Sequence, residues 1–327
     1  MSNSQQKTGA GSEQRTVQQE QDQRDAARPK AEENKQPAQT GTHDFPAPPL
    51  PEQHLEKPGL EHQMRLKPQF MAPDYCGSGK LAGMAAVITG GDSGIGRAVA
   101  VLYAREGADV ALIYLADEQE DAVETKKYIE AEGQHCILIP GDVREPAFCR
   151  QAIDEVMRAF GKVDILVNNA AFQEHAGSLE ELSEERFDLT MKTNIYGYFH
   201  MAKAALPHMK RGSSILNTGS VVGLRGSKKL LDYSTTKGAI HAFTMSLASN
   251  LLEKGIRVNA VAPGPVWTPL NPADQPPEKI KEFGSQTDMH RPAQPEEISP
   301  AFVFLAAPSC ASYITGIVLP ITGSVGE

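Results

Sequence analysis

Tyr233 and Lys237 stand four residues apart in a stretch that reads as helix, so a phenol and an ammonium share one helix face. An ammonium beside a phenol favours the phenolate and draws its pKa down from about 10 towards working pH. A Tyr poised in this way exchanges a proton with a substrate oxygen. Ser220, thirteen residues upstream at the end of an apolar run, is placed to hydrogen-bond the same oxygen. Each residue alone has an ordinary alternative. Tyr-x-x-x-Lys also describes a solvated helix face, and Ser220 a strand-end or turn residue.

A second set lies nearer the start. The run Thr89-Gly90-Gly91-Asp92-Ser93-Gly94-Ile95-Gly96-Arg97 follows the apolar stretch 85–88 and opens a helical pattern. Glycines there allow a tight turn, close backbone approach to a pyrophosphate and close packing of helix on strand. The helix start adds free N–H groups and the positive end of its dipole. Glycines also close ordinary strand-to-helix loops; the place after a first strand and before a helix is what points to a dinucleotide. A nicotinamide hydride carrier beside an acid/base Tyr gives oxidoreduction of a small alcohol or carbonyl. The second strand ends Ile113-Tyr114-Leu115-Ala116-Asp117, where an acidic side chain favours a free ribose 2′-hydroxyl and a basic one a 2′-phosphate. Tyr114 is neither, and Asp117 is equally suited to capping the next helix. NAD and NADP both stay open.

The elements that must position these residues follow from the apolar pattern. Short apolar runs at 85–88, 110–115, 136–139, 165–167, 214–217, 258–261 and 317–321 alternate with helical patterns at 94–106, 117–132, 146–160, 183–210, 232–254 and 295–307. Near-continuous apolar strands alternating with helices predict an α/β fold. It is a single Rossmann-type, doubly wound domain whose parallel seven-stranded sheet is flanked by helices. Residues 1–57 are rich in Gln, Glu, Lys, Ala and Pro and poor in large apolar side chains, which predicts a disordered polar tail. Residues 58–80 read as an extended lead-in on the surface, and 81–327 as the catalytic domain.

The formal net charge of -9 argues against nucleic acid or an anionic membrane as partner, since both need basic surface. The tail is no basic arm either, with seven Lys/Arg against nine Asp/Glu. Cys76, Cys136, Cys149 and Cys310 show no metal spacing, and no metal-ligand cluster is apparent. They read as reduced thiols of a cytoplasmic protein. No apolar run is long enough to span a bilayer, and the start lacks a signal-peptide core. Leu319-Pro320-Ile321-Thr322-Gly323 spells a cell-wall sorting pattern, but without an apolar tail behind it the segment reads as the end of a last strand.

Taken together, these motifs resemble the short-chain dehydrogenase/reductase family, in the branch with Thr-Gly-x-x-x-Gly-x-Gly and Tyr-x-x-x-Lys. The likeness covers residues 80 to about 324. It implies that Thr89, Gly90, Asp92, Ser93, Gly94, Ile95 and Gly96 form the cofactor turn, with Tyr114 at the ribose. Asp142 and Val143 would border the adenine, and Asn169 and Ala170, in Asn168-Asn169-Ala170-Ala171, would lie beside the cofactor. Pro263, Gly264, Val266 and Thr268 match the segment that cradles the nicotinamide. Ser220, Tyr233, Lys237 and Asn194 match the four catalytic positions, with Lys237 also holding the nicotinamide ribose. Two departures stand out: Ala171 replaces the final Gly of Asn-Asn-Ala-Gly, and Thr322-Gly323-Ser324 replaces a closing Asp-Gly-Gly. The glycine run and Ala262-Pro263-Gly264-Pro265-Val266-Trp267-Thr268 further resemble a bacterial, N-terminally extended subgroup labelled aldehyde reductases or glucose/ribitol dehydrogenase homologues.

The resemblance implies a homotetramer built partly on the helix carrying Tyr233, although Ile240, Phe243, Leu247 and Leu251 fit core packing equally well. Gln173 and Trp267 are candidate substrate residues; with His175, Leu231 and Asp232 they flank the motifs, and loop or packing roles suit each as well. A non-catalytic dinucleotide-binding scaffold or redox sensor is the alternative of another class. Sugar-nucleotide epimerases and enoyl reductases fit less well, the latter because they separate Tyr and Lys more widely.

Overall fold

Seven apolar runs become seven parallel strands in the order β3-β2-β1-β4-β5-β6-β7. The strands are β1 (Ala85–Thr89), β2 (Asp109–Tyr114), β3 (Cys136–Pro140), β4 (Ile165–Asn168), β5 (Ser214–Thr218), β6 (Arg257–Pro263) and β7 (Val318–Ile321). The computed structural model describes residues 18–21, 23–24 and 36–324. Of its two units, Met1–Gln36 contains exposed helical residues at 18–21 and 23–24. Every element named below belongs to Pro37–Glu327.

Every residue of β1 and β6 is buried, as strands covered on both faces must be. One face packs against α1 (Gly94–Arg105) and α9 (Pro295–Ala306), through Val99, Leu102, Tyr103, Phe302 and Leu305. The other meets α3 (Pro146–Phe160), α5 (Gly197–Ala205) and α7 (Leu231–Leu251), through Ile153, Val156, Met201, Ala248 and Leu251. The remaining helices are α2 (Gln119–Ala131), α4 (Glu184–Met191) and the short α6 (Val222–Arg225), α8 (Pro277–Lys281) and α10 (Pro308–Ala311). Between α4 and α5 the chain passes through five π-helical residues, Lys192–Tyr196, an interruption the apolar pattern does not reveal.

The order reverses between β1 and β4, which run side by side with Val87 opposite Leu166. Their crossovers leave to opposite sides, opening a crevice at the strands' C-terminal ends where ligands bind in such sheets. The expected strand over 317–321 closes the sheet as β7, so the sorting-like sequence there is structural.

The disordered tail expected up to residue 57 is corrected from residue 36 onward. Leu50 and Leu55, with Met64 of the lead-in, are buried against Trp267, Ala273 and Ile280. Backbone bonds fix the arm as well: Ala38 N–H to Met289, Leu50 N–H to Lys281 and Leu55 N–H to Pro272. Composition misleads because so few apolar side chains are involved. Each meets apolar side chains far along the chain, and full burial of one such side chain stabilises by about 1.5–3 kcal/mol. The rest of that expectation falls mainly on residues 1–17, 22 and 25–35, outside the described residues. The lead-in continues largely extended, with turns at Glu61–Gln63 and at 73–74, and seats Phe70 on Ala98 and Val101 of α1.

Candidate active site

The glycine turn is built by exclusion. A Cβ on Gly96 would stand 1.8 Å from the Gly90 carbonyl oxygen, so only glycine lets α1 sit this close to the turn. Gly94 holds φ +50°, and a Cβ there would meet Thr268 at 3.0 Å. The neighbouring strand ends are tied to this turn. The Thr89 hydroxyl accepts the N–H groups of Asn169 (2.9 Å) and Ala170 (3.1 Å). Asn169 donates from Nδ2 to the Gly90 carbonyl at 3.0 Å, and Thr218 donates to its Oδ1 at 3.1 Å. Below, Asn168 donates to Asn217 and Asn217 to Thr244, each at 2.9 Å, pinning β4, β5 and α7 together.

Over these ends lies a cleft of about 1150 Å³. Gly90, Asp92, Ser93, Gly94, Ile95, Tyr114, Asp142, Val143, Asn169, Ala170, Pro263, Gly264, Val266 and Thr268 line it, together with Gln173, Ser220, Tyr233 and Lys237. Thr89, Gly96, Asn194 and Trp267 stand behind its wall. Trp267 is 1% exposed, packed with Leu50, Leu55 and Phe283, and its indole N–H donates to the Leu66 carbonyl at 3.0 Å. It is therefore corrected from a substrate residue to an anchor for the arm.

At one end Tyr114 donates to Gln119 Oε1 at 2.7 Å, and Asp142 accepts from Arg144 Nε at 2.7 Å. Bonds from Arg144 keep the Asp142 carboxyl below the ordinary range against the opposing effect of burial. Glu118, not Asp117, closes the turn after β2 by accepting the Leu115 N–H at 2.8 Å, and it lines the cleft. Burial, with Asp92 close by, pushes Glu118 up to about 8, and burial pushes Asp92 up to about 6.

At the other end Tyr233 and Lys237 rise from α7 into the cleft. The Lys237 ammonium donates to the Thr218 carbonyl at 2.7 Å and lies 5.3 Å from the Tyr233 ring centre and 5.6 Å from that of Tyr198. Burial lowers Lys237 to about 7. The expectation that Lys237 depresses Tyr233 is not met: Tyr233 is raised, by burial first and by the Asp274 carboxylate second, against a bond from Ser220 that lowers it. Both groups have left water, and withdrawal from water favours the neutral form of each. Ser220 also accepts the Val222 N–H at 3.3 Å, so the strand end and α6 fix its hydroxyl. Asn194, in the π-helical turn, donates to the Phe172 carbonyl (2.9 Å) and Thr236 (3.0 Å) and accepts the Phe172 N–H (2.8 Å). It positions the loop after β4 and does not reach the cleft.

Three further groups have no sequence signal. Lys57, from the arm, lines the cleft. Glu61 accepts the Gly94 N–H at 2.7 Å and pairs with Arg97 at 2.6 Å, so the arm also caps α1. Asp274, buried, accepts from Gln173 Nε2 (2.6 Å) and from the His175 N–H (2.7 Å), and its Oδ1 lies 2.8 Å from His175 Nδ1. Glu174, His175 and Asp274 thus bring metal-ligand atoms within 4.8 Å of one another, a grouping the sequence conceals because Asp274 lies a hundred residues away. The Lys57 ammonium stands 3.2 Å from Glu174, a repulsive neighbour for a cation.

Residues 90–324 match the family model described as enoyl-(acyl carrier protein) reductase. The chain is 51% identical over 276 residues to NADPH-dependent aldehyde reductase 1, chloroplastic, of Arabidopsis thaliana, covering 83% of this chain and 96% of that one. It is 47% identical over 279 residues to glucose and ribitol dehydrogenase of Daucus carota, covering 84% and 95%. Among solved structures, a short chain dehydrogenase from Burkholderia cenocepacia in complex with NADP superposes with TM-score 0.71 at 34% identity, covering 76% of this chain and all of that one. The chain belongs to the short-chain dehydrogenase/reductase family and is an NAD(P)-dependent oxidoreductase acting on alcohol and carbonyl groups.

Proposed function

We propose that this oxidoreductase interconverts a small alcohol with its aldehyde or ketone, sugars and polyols included, with Tyr233 as the acid/base. The observation that carries the reading is convergence: Ser220, Tyr233 and Lys237 line the same cleft as the glycine turn that opens α1. The cleft suits a dinucleotide, since Ser93, Gly94 and Ile95 line it at a helix start and Gly96 lets α1 pack tightly against the turn that leads there. In that reading Gly90, Ser93, Gly94 and Ile95 hold the pyrophosphate, Tyr114, Asp142 and Val143 border the adenosine, and Val266 and Thr268 face the carboxamide. A bound nicotinamide supplies or accepts the hydride.

Reduction then asks two things of the chain. Tyr233 must keep its proton until the substrate oxygen gains negative charge, and its raised pKa keeps the phenol protonated. It then delivers that proton to the oxygen, which Ser220 also hydrogen-bonds. As charge appears on the phenol oxygen, Lys237, buried and near 7, is held in its ammonium form beside it. Asn194 keeps the loop at Phe172 in place throughout.

The family's homotetramer is supported by half-exposed apolar side chains at Tyr196, Phe199 and Met245, near and on the helices implied. A cytoplasmic setting is supported by four free cysteines. No helix among the described residues is long and apolar enough to cross a membrane.

The test follows loss of NADH or NADPH with a panel of short aldehydes, ketones and sugars, which also decides the cofactor. Tyr233→Phe is expected to cut kcat by about a hundredfold or more, with dinucleotide affinity by fluorescence nearly unchanged. Equal turnover in the variant overturns the assignment, and dinucleotide binding without turnover across the panel favours the non-catalytic scaffold.

A further inference from the structure

We propose that the N-terminal arm completes the substrate end of the cleft, and that its Lys57 is a specificity-determining residue selecting hydroxylated carbonyl substrates over plain aliphatic ones. The inference rests on the oxidoreductase reading above and adds to it a substrate class and the residue that reads it.

Lys57, Pro58 and Gly59 form one wall of the cleft. The arm holds them closely: a Cβ on Gly59 would stand 2.8 Å from the Pro269 carbonyl oxygen, so the arm backbone runs hard against the loop after β6. On the N-terminal side, Leu55 N–H donates to Pro272 at 2.9 Å and His54 Nδ1 contacts the Gln275 carbonyl at 3.1 Å. On the other side Glu61 is fixed to Gly94 and Arg97. Lys57 is thus built into the wall at both ends.

Its ammonium donates to the Gln173 carbonyl, pairs with Glu174 Oε2 at 3.2 Å and lies 5.3 Å from the centre of the Phe172 ring. Gln173 and Phe172 line the same cleft as Tyr233. Gln173 in turn donates to Asp274, whose charge acts on the Tyr233 phenol. The side chains of Lys57 and Glu174 are each about a third exposed, Lys57 in the cleft wall and Glu174 beside it at the cleft's edge, next to Gln173.

Charge decides what kind of solute fits. An anionic substrate would have to compete with Glu174 for the ammonium while facing the charge of Asp274. A plain alkyl chain would offer the ion pair nothing. A hydroxyl accepts from the ammonium and donates to the carboxylate, leaving neither ion unpaired. Loss of a hydrogen bond to a charged group lowers recognition by about tenfold or more.

The experiment compares D-glyceraldehyde with propanal, equal in carbon number, for the full-length enzyme and for Lys57→Met, which keeps the apolar stem. The enzyme is expected to prefer glyceraldehyde. In Lys57→Met, kcat/KM for glyceraldehyde should fall about tenfold or more, mainly through KM, with propanal within twofold. Lys57→Arg should keep the preference. Trp267, the chain's single tryptophan, reports on the arm, and its unchanged emission in Lys57→Met shows that the wall is intact. Equal loss on both aldehydes, or loss on neither, overturns the assignment of Lys57 while leaving the oxidoreductase reading in place. Turnover of neither aldehyde by the unaltered enzyme overturns this substrate class, and with a silent wider panel the reading beneath it.

Discussion

Replacing Glu61 by glutamine should change how stability depends on pH. Glu61 is 1% exposed, and its carboxylate accepts the Gly94 N–H and pairs with Arg97. Asp121 and Asp92 act on it repulsively, Glu124 shares Arg97 at 3.8 Å, and Lys67 is bonded to the Glu61 backbone carbonyl rather than to the carboxylate. Burial outweighs Arg97 and lifts Glu61 from its ordinary 4.5 to about 7. The folded chain therefore binds this proton more readily than the unfolded chain. The stability it contributes is complete below pH 4.5 and is lost as pH rises towards 7. A shift from 4.5 to about 7, at about 1.4 kcal/mol per unit, amounts to on the order of 3 kcal/mol. A glutamine side chain in its place does not titrate and can still accept from Gly94. Urea unfolding followed by Trp267 emission at pH 5 and pH 8 should show the original chain losing on the order of 3 kcal/mol more than Glu61→Gln across that interval. Asp92 and Glu118 tilt both proteins the same way, so the difference between them reports Glu61 together with its coupling to Asp92. Parallel pH profiles, with the variant simply less stable at pH 8, would refute the reasoning and show that Arg97 holds Glu61 ionised throughout.

Gly96→Ala should weaken dinucleotide binding by about tenfold or more and lower the melting temperature, because its methyl carbon would need the space of the Gly90 carbonyl 1.8 Å away. Fluorescence titration and thermal melts check both effects; full affinity would mean that the turn has slack. Trp267→Ala should cost about 3–5 kcal/mol in stability and make residues 37–66 readily cut by protease. A resistant arm would show that Leu50, Leu55 and Met64 hold without the indole.

The sheet and the cofactor half of the cleft were legible because their residues are adjacent in sequence or carry period. The turn from Thr89 to Gly96 closes a strand and opens a helix, and Tyr233 and Lys237 are neighbours on one helix whatever the tertiary context. What escaped is held by contacts across long stretches of chain. Trp267 sits among the cofactor motifs yet turns its ring to Leu50 and Leu55, more than two hundred residues earlier. Asp274 draws Gln173 and His175 together without any local pattern, and Glu61 reaches the start of α1 from a turn of three residues. The electrostatic expectation failed for another reason. Spacing shows that Lys237 is near Tyr233, but not that both have been removed from water, and burial determines the direction of each shift.

The arm also explains how one cleft combines a fixed half with a variable half. The cofactor side is set by parallel strands whose ends are cross-linked through Thr89, Asn169 and Thr218, and few substitutions there preserve the bonds. The substrate side is a loop, 264–294, with little regular structure of its own beyond α8. Such a loop lacks the apolar contacts to hold one shape, and mobility is its ordinary state. Here it gains a core from outside the sheet: Trp267, Ala273 and Ile280 are closed over by Leu50, Leu55 and Met64. Arg291 adds a stacking contact on Phe45 and a bond to the Ala38 carbonyl. The loop and the arm therefore order each other. A change in either can reshape the substrate wall while the hydride-transfer end stays as it is, which is why substrate choice in this chain should be sought in residues 37–66 as much as in the loop itself.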